Sequence, residues 1–118
     1  MMKLVYICAP LGGDVERNIE KAKRYARFAL KSDVVPIVPH YYAFSLNDNN
    51  PKERAIGATA ALNLLYFCDE MWIFGNQITE GMEEEIRCCA ILKKPMKKVF
   101  EKQIMKKIGV DVHVKDKK

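Results

Sequence analysis

The order of short apolar runs and helically patterned segments predicts an α/β fold, a Rossmann-like (flavodoxin-like) three-layer sandwich with a parallel sheet of about four strands. Two observations carry this. Brief β-rich runs alternate with longer stretches of helical periodicity, and Gly, Pro and Asn clusters punctuate the boundaries. Alternation of this kind demands right-handed crossovers and helices on both faces of the sheet.

The elements follow in order. Leu4 to Ala9 reads as a buried strand, ended by Pro10-Leu11-Gly12-Gly13. Asp14 is an N-cap for a helix in which Val15, Ile19, Ala22, Ala26 and Ala29 recur at helical spacing to about Lys31. Val34 to Val38 is a second strand, and Pro36 assigns it to a sheet edge because proline cannot donate to a ladder. His40 to Asn50 is a polar loop with aromatic residues, and Lys52 to Phe67 an alanine- and leucine-rich helix expected to be mostly buried. Glu70 to Phe74 is a third strand, Gly75-Asn76-Gln77 a turn, Gly81 to Leu92 a third helix and Pro95 to Phe100 a last strand. Beyond it an amphipathic helix is expected around Ile104, Met105 and Ile108, followed by Val110 to Val114. There is no internal repeat and no linker. Residues 1–100 form one domain and residues 101–118 a basic C-terminal tail.

At 118 residues, 49% hydrophobic and 30% charged, the composition is that of a globular domain and excludes disorder. No apolar run approaches the roughly 20 residues of a membrane span, so no membrane role is expected. Cys8, Cys68, Cys88 and Cys89 have neither CxxC nor metal-ligand spacing. Unpaired cysteines inside strands and helices point to a reducing, cytoplasmic setting, in a bacterial cell or an infected host. From Lys93 to Lys118 there are ten lysines and three acids, a net +7, which leaves −2 for the rest of a chain of net +5. The basic character belongs to the tail, which reads as a solvated end. A nucleic-acid contact is the rival reading, weakened by the absence of arginine and of interleaved aromatics beyond Phe100.

In doubly wound sheets ligands bind outside the carboxyl ends of the strands, at the point where strand order reverses. Three loops therefore hold the candidates. Ala9, Pro10, Leu11, Gly12 and Gly13 form a turn that lets backbone approach a ligand at a helix N-terminus, although a plain strand-to-helix turn explains it equally. It matches neither the dinucleotide fingerprint nor a phosphate-binding P-loop. His40 and Tyr41 can reach the pocket to stack on a base, or serve only as turn residues. Gly75, Thr79, Gly81 and Met82 bound the third loop. Glu83, Glu84 and Glu85 follow it, and acids there complement a helix dipole. With Met82, Ile86 and Cys89 as the inward stripe at about 100° per residue, Glu83 and Glu84 turn to solvent. Glu85 flanks the stripe, where a pocket nucleophile or base would stand.

Tyr6-Ile7-Cys8-Ala9-Pro10, Cys68-Asp69-Glu70-Met71-Trp72-Ile73-Phe74-Gly75, and Gly81-x-x-x-Glu85 with Lys94-Pro95 downstream together resemble the nucleoside 2-deoxyribosyltransferase-like superfamily, over roughly residues 3 to 99. The likeness is strongest to its small, often phage-encoded members. The superfamily includes enzymes that exchange bases on deoxyribosides and relatives that hydrolyse the N-glycosidic bond of deoxynucleoside 5′-monophosphates. The resemblance implies that Glu85 is the catalytic nucleophile, that the ligand is a nucleoside or nucleotide, that no cofactor or metal is needed, and that the chain forms a homodimer or higher homo-oligomer. It also implies that Thr79, two positions before the motif glycine, helps hold a 5′-phosphate. One position departs from the pattern. Active relatives carry an Asp eight residues before the acid that opens the third strand, and counting back from Asp69 gives Ala61. Asp69 itself should lie at the amino end of its strand, as a cap or turn residue. A non-catalytic nucleotide binder is therefore the alternative reading.

Overall fold

A computed structural model describes residues 2–109. Four parallel strands, β1 (Leu4–Cys8), β2 (Val35–Ile37), β3 (Glu70–Ile73) and β4 (Met96–Lys98), form one sheet in the order β2-β1-β3-β4. Helices α1 (Val15–Lys31), α2 (Pro51–Phe67) and α3 (Glu80–Ile91) supply the crossovers, and α4 (Glu101–Ile108) follows the last strand. The chain order reverses between β1 and β3, so the switch point lies where the first and third loops leave the sheet. Pro36 sits on the edge strand, as its missing donor requires.

The period-2 alternation of the strands sorts the core into two layers. Val5, Ile7, Trp72 and Phe74 face Ala22, Tyr25 and Phe28 of α1 and Ile104 of α4. Tyr6, Cys8 and Met71 face the other way, onto Ala61 and Leu65 of α2 and Met82 and Cys89 of α3. This alternation is what presents Tyr6 and Cys8, two residues apart on β1, to the same side as α3.

Local chemistry fixes the element ends. Asp14 accepts from the Arg17 amide at 3.2 Å, and Asn50 accepts from the Lys52 and Glu53 amides, with Pro51 at the first helical position. Thr79 caps α3 by accepting from the Met82 amide at 3.3 Å. Asp69 accepts from the Leu4 amide at 2.7 Å, joining the amino ends of β1 and β3 far from the switch point. The Lys94 ammonium donates to the carbonyls of Tyr66 and Cys68, meeting the negative end of α2.

Three differences from the sequence reading stand out. The loop after β2 is structured, because Pro39–Phe44 winds into a 3₁₀ helix. α2 buries only Ala61 and Leu65, while Ile56, Tyr66 and Phe67 are 59%, 63% and 71% exposed. Its apolar residues encircle the helix instead of forming a stripe, and none of the described residues forms a second layer over the outer side. The segment beyond the sheet does not begin as a solvated end, since Ile104 of α4 is buried against α1 and Arg24 pairs with Glu101 at 2.7 Å. The stretch Val110 to Val114 lies outside the described residues. Among those described, no helix is long and apolar enough to cross a membrane.

Candidate active site at the carboxyl edge of the sheet

A cavity of about 230 Å³ opens at the switch point on the α2–α3 side. Its floor is built by β1 and its first loop. Ala9, Leu11, Gly12 and Gly13 line it, and Gly13 holds φ at +90°, a conformation that favours glycine. Gly12 matters for what stands beside it, at ordinary van der Waals distance. A Cβ there would lie 3.4 Å from the Arg54 guanidinium and 3.5 Å from the Asp48 carboxylate. Thr79, Gly81, Met82 and Glu85 of the α3 N-terminus form the opposite wall, and Ala61 of α2 completes it.

Glu85 is part-buried and held by two donors. The Tyr6 hydroxyl donates to Oε2 at 2.5 Å, and the Cys8 thiol donates to Oε1 at 3.4 Å. Burial pushes the Glu85 carboxyl above the usual glutamate range, and the two hydrogen bonds oppose that rise while nearby Glu84 adds to it. Burial, reinforced by Glu85, also keeps the Tyr6 phenol and the Cys8 thiol protonated far above their ordinary values. Both partners thus remain donors at neutral pH, an arrangement that favours the ionised carboxylate once it forms.

His40 is buried, and its Nε2 donates to the Pro10 carbonyl at 3.1 Å. Burial lowers its pKa, so the ring is held neutral and Nδ1 is an acceptor, without a protein partner among the described residues. Thr79 uses its oxygen as a cap acceptor, which leaves its hydroxyl proton free to donate into the cavity.

The sequence-derived candidates divide between two places. Ala9, Leu11, Gly12, Gly13, His40, Thr79, Gly81, Met82 and Glu85 are brought together on one wall system. Pro10 and Gly75 are not. They line a separate cavity on the α1–α4 side, because the Pro10 ring packs on Gly75, whose φ is +98°. Tyr41 is also outside, 62% exposed and stacked on Phe44. A 3₁₀ helix turns by a third of a circle per residue, so Tyr42 takes the cavity side instead.

A family model matches residues 3–99, described as a domain of unknown function (DUF7768). The chain belongs to the DUF7768 family. A search of curated proteins finds no match.

The DUF7768 domain also brings in residues that sequence reasoning does not assign to the site. Tyr6 and Cys8 are visible as an i, i+2 pair on one face of β1, but their meeting with Glu85 spans 79 and 77 positions. Arg54 reads from the sequence as a candidate phosphate partner but more readily as an exposed first-turn arginine, and only the approach of α2 to the first loop brings its guanidinium beside Gly12. Asp48 follows the same route. Among the described residues, no group of three or more His, Cys, Asp or Glu side chains is placed to hold a metal ion.

Proposed function

We propose that the Glu85 cavity cleaves, or transfers at, the N-glycosidic bond of a nucleoside or nucleoside 5′-monophosphate through a covalent glycosyl–Glu85 intermediate. The observation that supports this best is the Glu85 carboxylate itself, held by Tyr6 and Cys8 at the wall of a cavity that Gly12, Gly13 and Gly81 also line. A Glu85 oxygen would attack the anomeric carbon while the base departs with the electron pair of the broken bond and takes up a proton. Water or a second base would then displace Glu85 from the sugar, with net retention. Gly12, Gly13, Thr79 and the Arg54 guanidinium offer donors to a 5′-phosphate, which favours a phosphorylated substrate. The resemblance of Gly81-x-x-x-Glu85 to the deoxyribosyltransferase-like motif points the same way.

A second reading, a nucleotide binder without catalysis, is favoured by Ala61. It lies on the cavity wall and presents a methyl group where active relatives of that superfamily carry an Asp. General acid–base assistance is worth typically 10²–10⁴-fold, so its loss bears on rate more than on binding. Self-association fits either reading, since Ile56, Tyr66 and Phe67 leave an exposed apolar surface on α2. A cytoplasmic setting fits the free cysteines.

The test is incubation of wild type and Glu85→Ala with nucleosides and 5′-monophosphates, ribo and deoxy, with chromatography for free base. Base released by wild type and not by the variant supports catalysis, and adding a second base separates transfer from hydrolysis. No release from any member, with tight binding by calorimetry, removes the enzymatic reading and leaves the binder.

A further inference from the structure

A second cavity, of about 530 Å³, lies on the α1–α4 side of the same sheet edge. The packing of Pro10 on Gly75 forms part of its wall. Its charge is one-sided. Lys21 and Arg24 of α1 and Lys98 at the end of β4 line it, against a single acid, Glu101. Glu101 is already committed to Arg24 at 2.7 Å, and the Arg24 guanidinium also donates to the Gly109 carbonyl at 2.8 Å. The remaining guanidinium nitrogen, Arg24 Nε, is buried without a hydrogen-bond partner among the described residues. Neither Lys21 nor Lys98 has a carboxylate within ion-pair distance among the described residues. Lys98 is steadied by the Gly75 carbonyl, which uses one of its three N–H donors, and lies 5.9 Å from the centre of the Phe100 ring. Asn76 and Gln77, whose side chains carry amide donors, also line it.

We infer that this cavity is a binding site for a phosphate-bearing small molecule, distinct from the Glu85 cavity. Two ammonium groups free of carboxylate partners, beside a buried guanidinium, make a concave region of positive potential, where low-dielectric walls concentrate the field. A doubly charged tetrahedral oxyanion fits that donor set better than a lone carboxylate, because it can accept from Lys21, Lys98 and the amides at once. The volume falls within the roughly 300–1,000 Å³ of small-molecule sites, and its location is the carboxyl edge where parallel sheets bind ligands. The assignment does not depend on the proposed glycosidic chemistry.

The experiment is an amide NMR titration of the ¹⁵N-labelled full chain with ribose 5-phosphate and with inorganic phosphate, at low ionic strength. Saturable shifts centred on Asn76, Gln77, Lys98 and Phe100 are expected with either probe. Lys21→Gln, at an exposed position, should weaken binding by about tenfold, the loss of one charge-assisted contact. Lys98→Gln should do the same, and Glu85→Gln should leave the affinity unchanged. Shifts confined to Gly12, Gly13, Gly81 and Met82 would place the phosphate in the first cavity and overturn the inference. So would an affinity indifferent to Lys21→Gln, or shifts that never saturate.

Discussion

Tyr6→Phe removes one hydroxyl and, with it, the 2.5 Å hydrogen bond to Glu85 Oε2. The cost depends on the charge of the acceptor. A bond to a neutral carboxyl is worth about 0.5–1.5 kcal/mol net and one to a charged group about 1.5–3 kcal/mol. Burial raises the Glu85 pKa above its ordinary value, so the switch between these regimes lies above the usual glutamate range. The sign follows directly. The Tyr6 bond favours the ionised form, its removal raises the Glu85 pKa further, and the variant loses ground to wild type as pH rises through the wild-type titration. The destabilisation should therefore grow by about 1–1.5 kcal/mol between acid and alkaline conditions. In melting temperature that is a further drop of about 4–6 °C. Urea denaturation across a pH series measures it, with Glu85→Gln and the double variant completing the cycle. In the Glu85→Gln background the cost of Tyr6→Phe should be flat with pH. A pH-independent cost in the wild-type background, or no coupling in the cycle, would refute the hydrogen-bonded arrangement.

Further outcomes follow from the same geometry. Glu85→Gln should remove a pH-dependent penalty. The folded chain holds this proton more tightly than the unfolded one, so wild-type stability falls as pH rises through the raised pKa, and the variant should lose that component of the fall in the same denaturation series. Gly75→Ala should cost about 1–2 kcal/mol, since φ is +98° and the new Cβ would stand 3.1 Å from Pro10; urea denaturation reads this directly. Arg54→Ala, in the first turn of α2, should weaken a 5′-monophosphate by about tenfold relative to its nucleoside, which calorimetry on the two ligands compares. Ala61→Asp should raise base release from a responsive nucleotide by about tenfold or more by supplying an acid at the cavity wall, at some cost in stability because the position is 5% exposed.

Some features are legible in the sequence because their causes are local. Short apolar runs mark Leu4–Cys8 and Glu70–Ile73 as strands, Pro36 marks an edge, and Asp14 caps a helix through its own side chain. Helical geometry alone sets Glu85 beside the inward stripe, and it lies on the cavity wall. What stays hidden depends on contacts across the fold. A helix as evenly apolar as Pro51–Phe67 has no stripe to say which side is covered, so composition alone sends its exposed Ile56, Tyr66 and Phe67 to the core. Tyr41 and Tyr42 are adjacent in sequence, and only the 3₁₀ winding decides which one enters the cavity. Pro10 and Gly75 belong to the right edge of the sheet but the opposite side, which the loop composition does not reveal. Arg54 joins Gly12 through tertiary approach alone.

A direct measurement is intact-mass spectrometry of the full chain after acid quench from slow, 2′-fluorinated nucleosides and their 5′-monophosphates. The proposed chemistry predicts a sugar-derived mass addition that peptide mapping locates on Glu85 and that Glu85→Ala abolishes. Saturable binding of the same compounds in the Glu85 cavity, with neither an adduct nor free base, would contradict it.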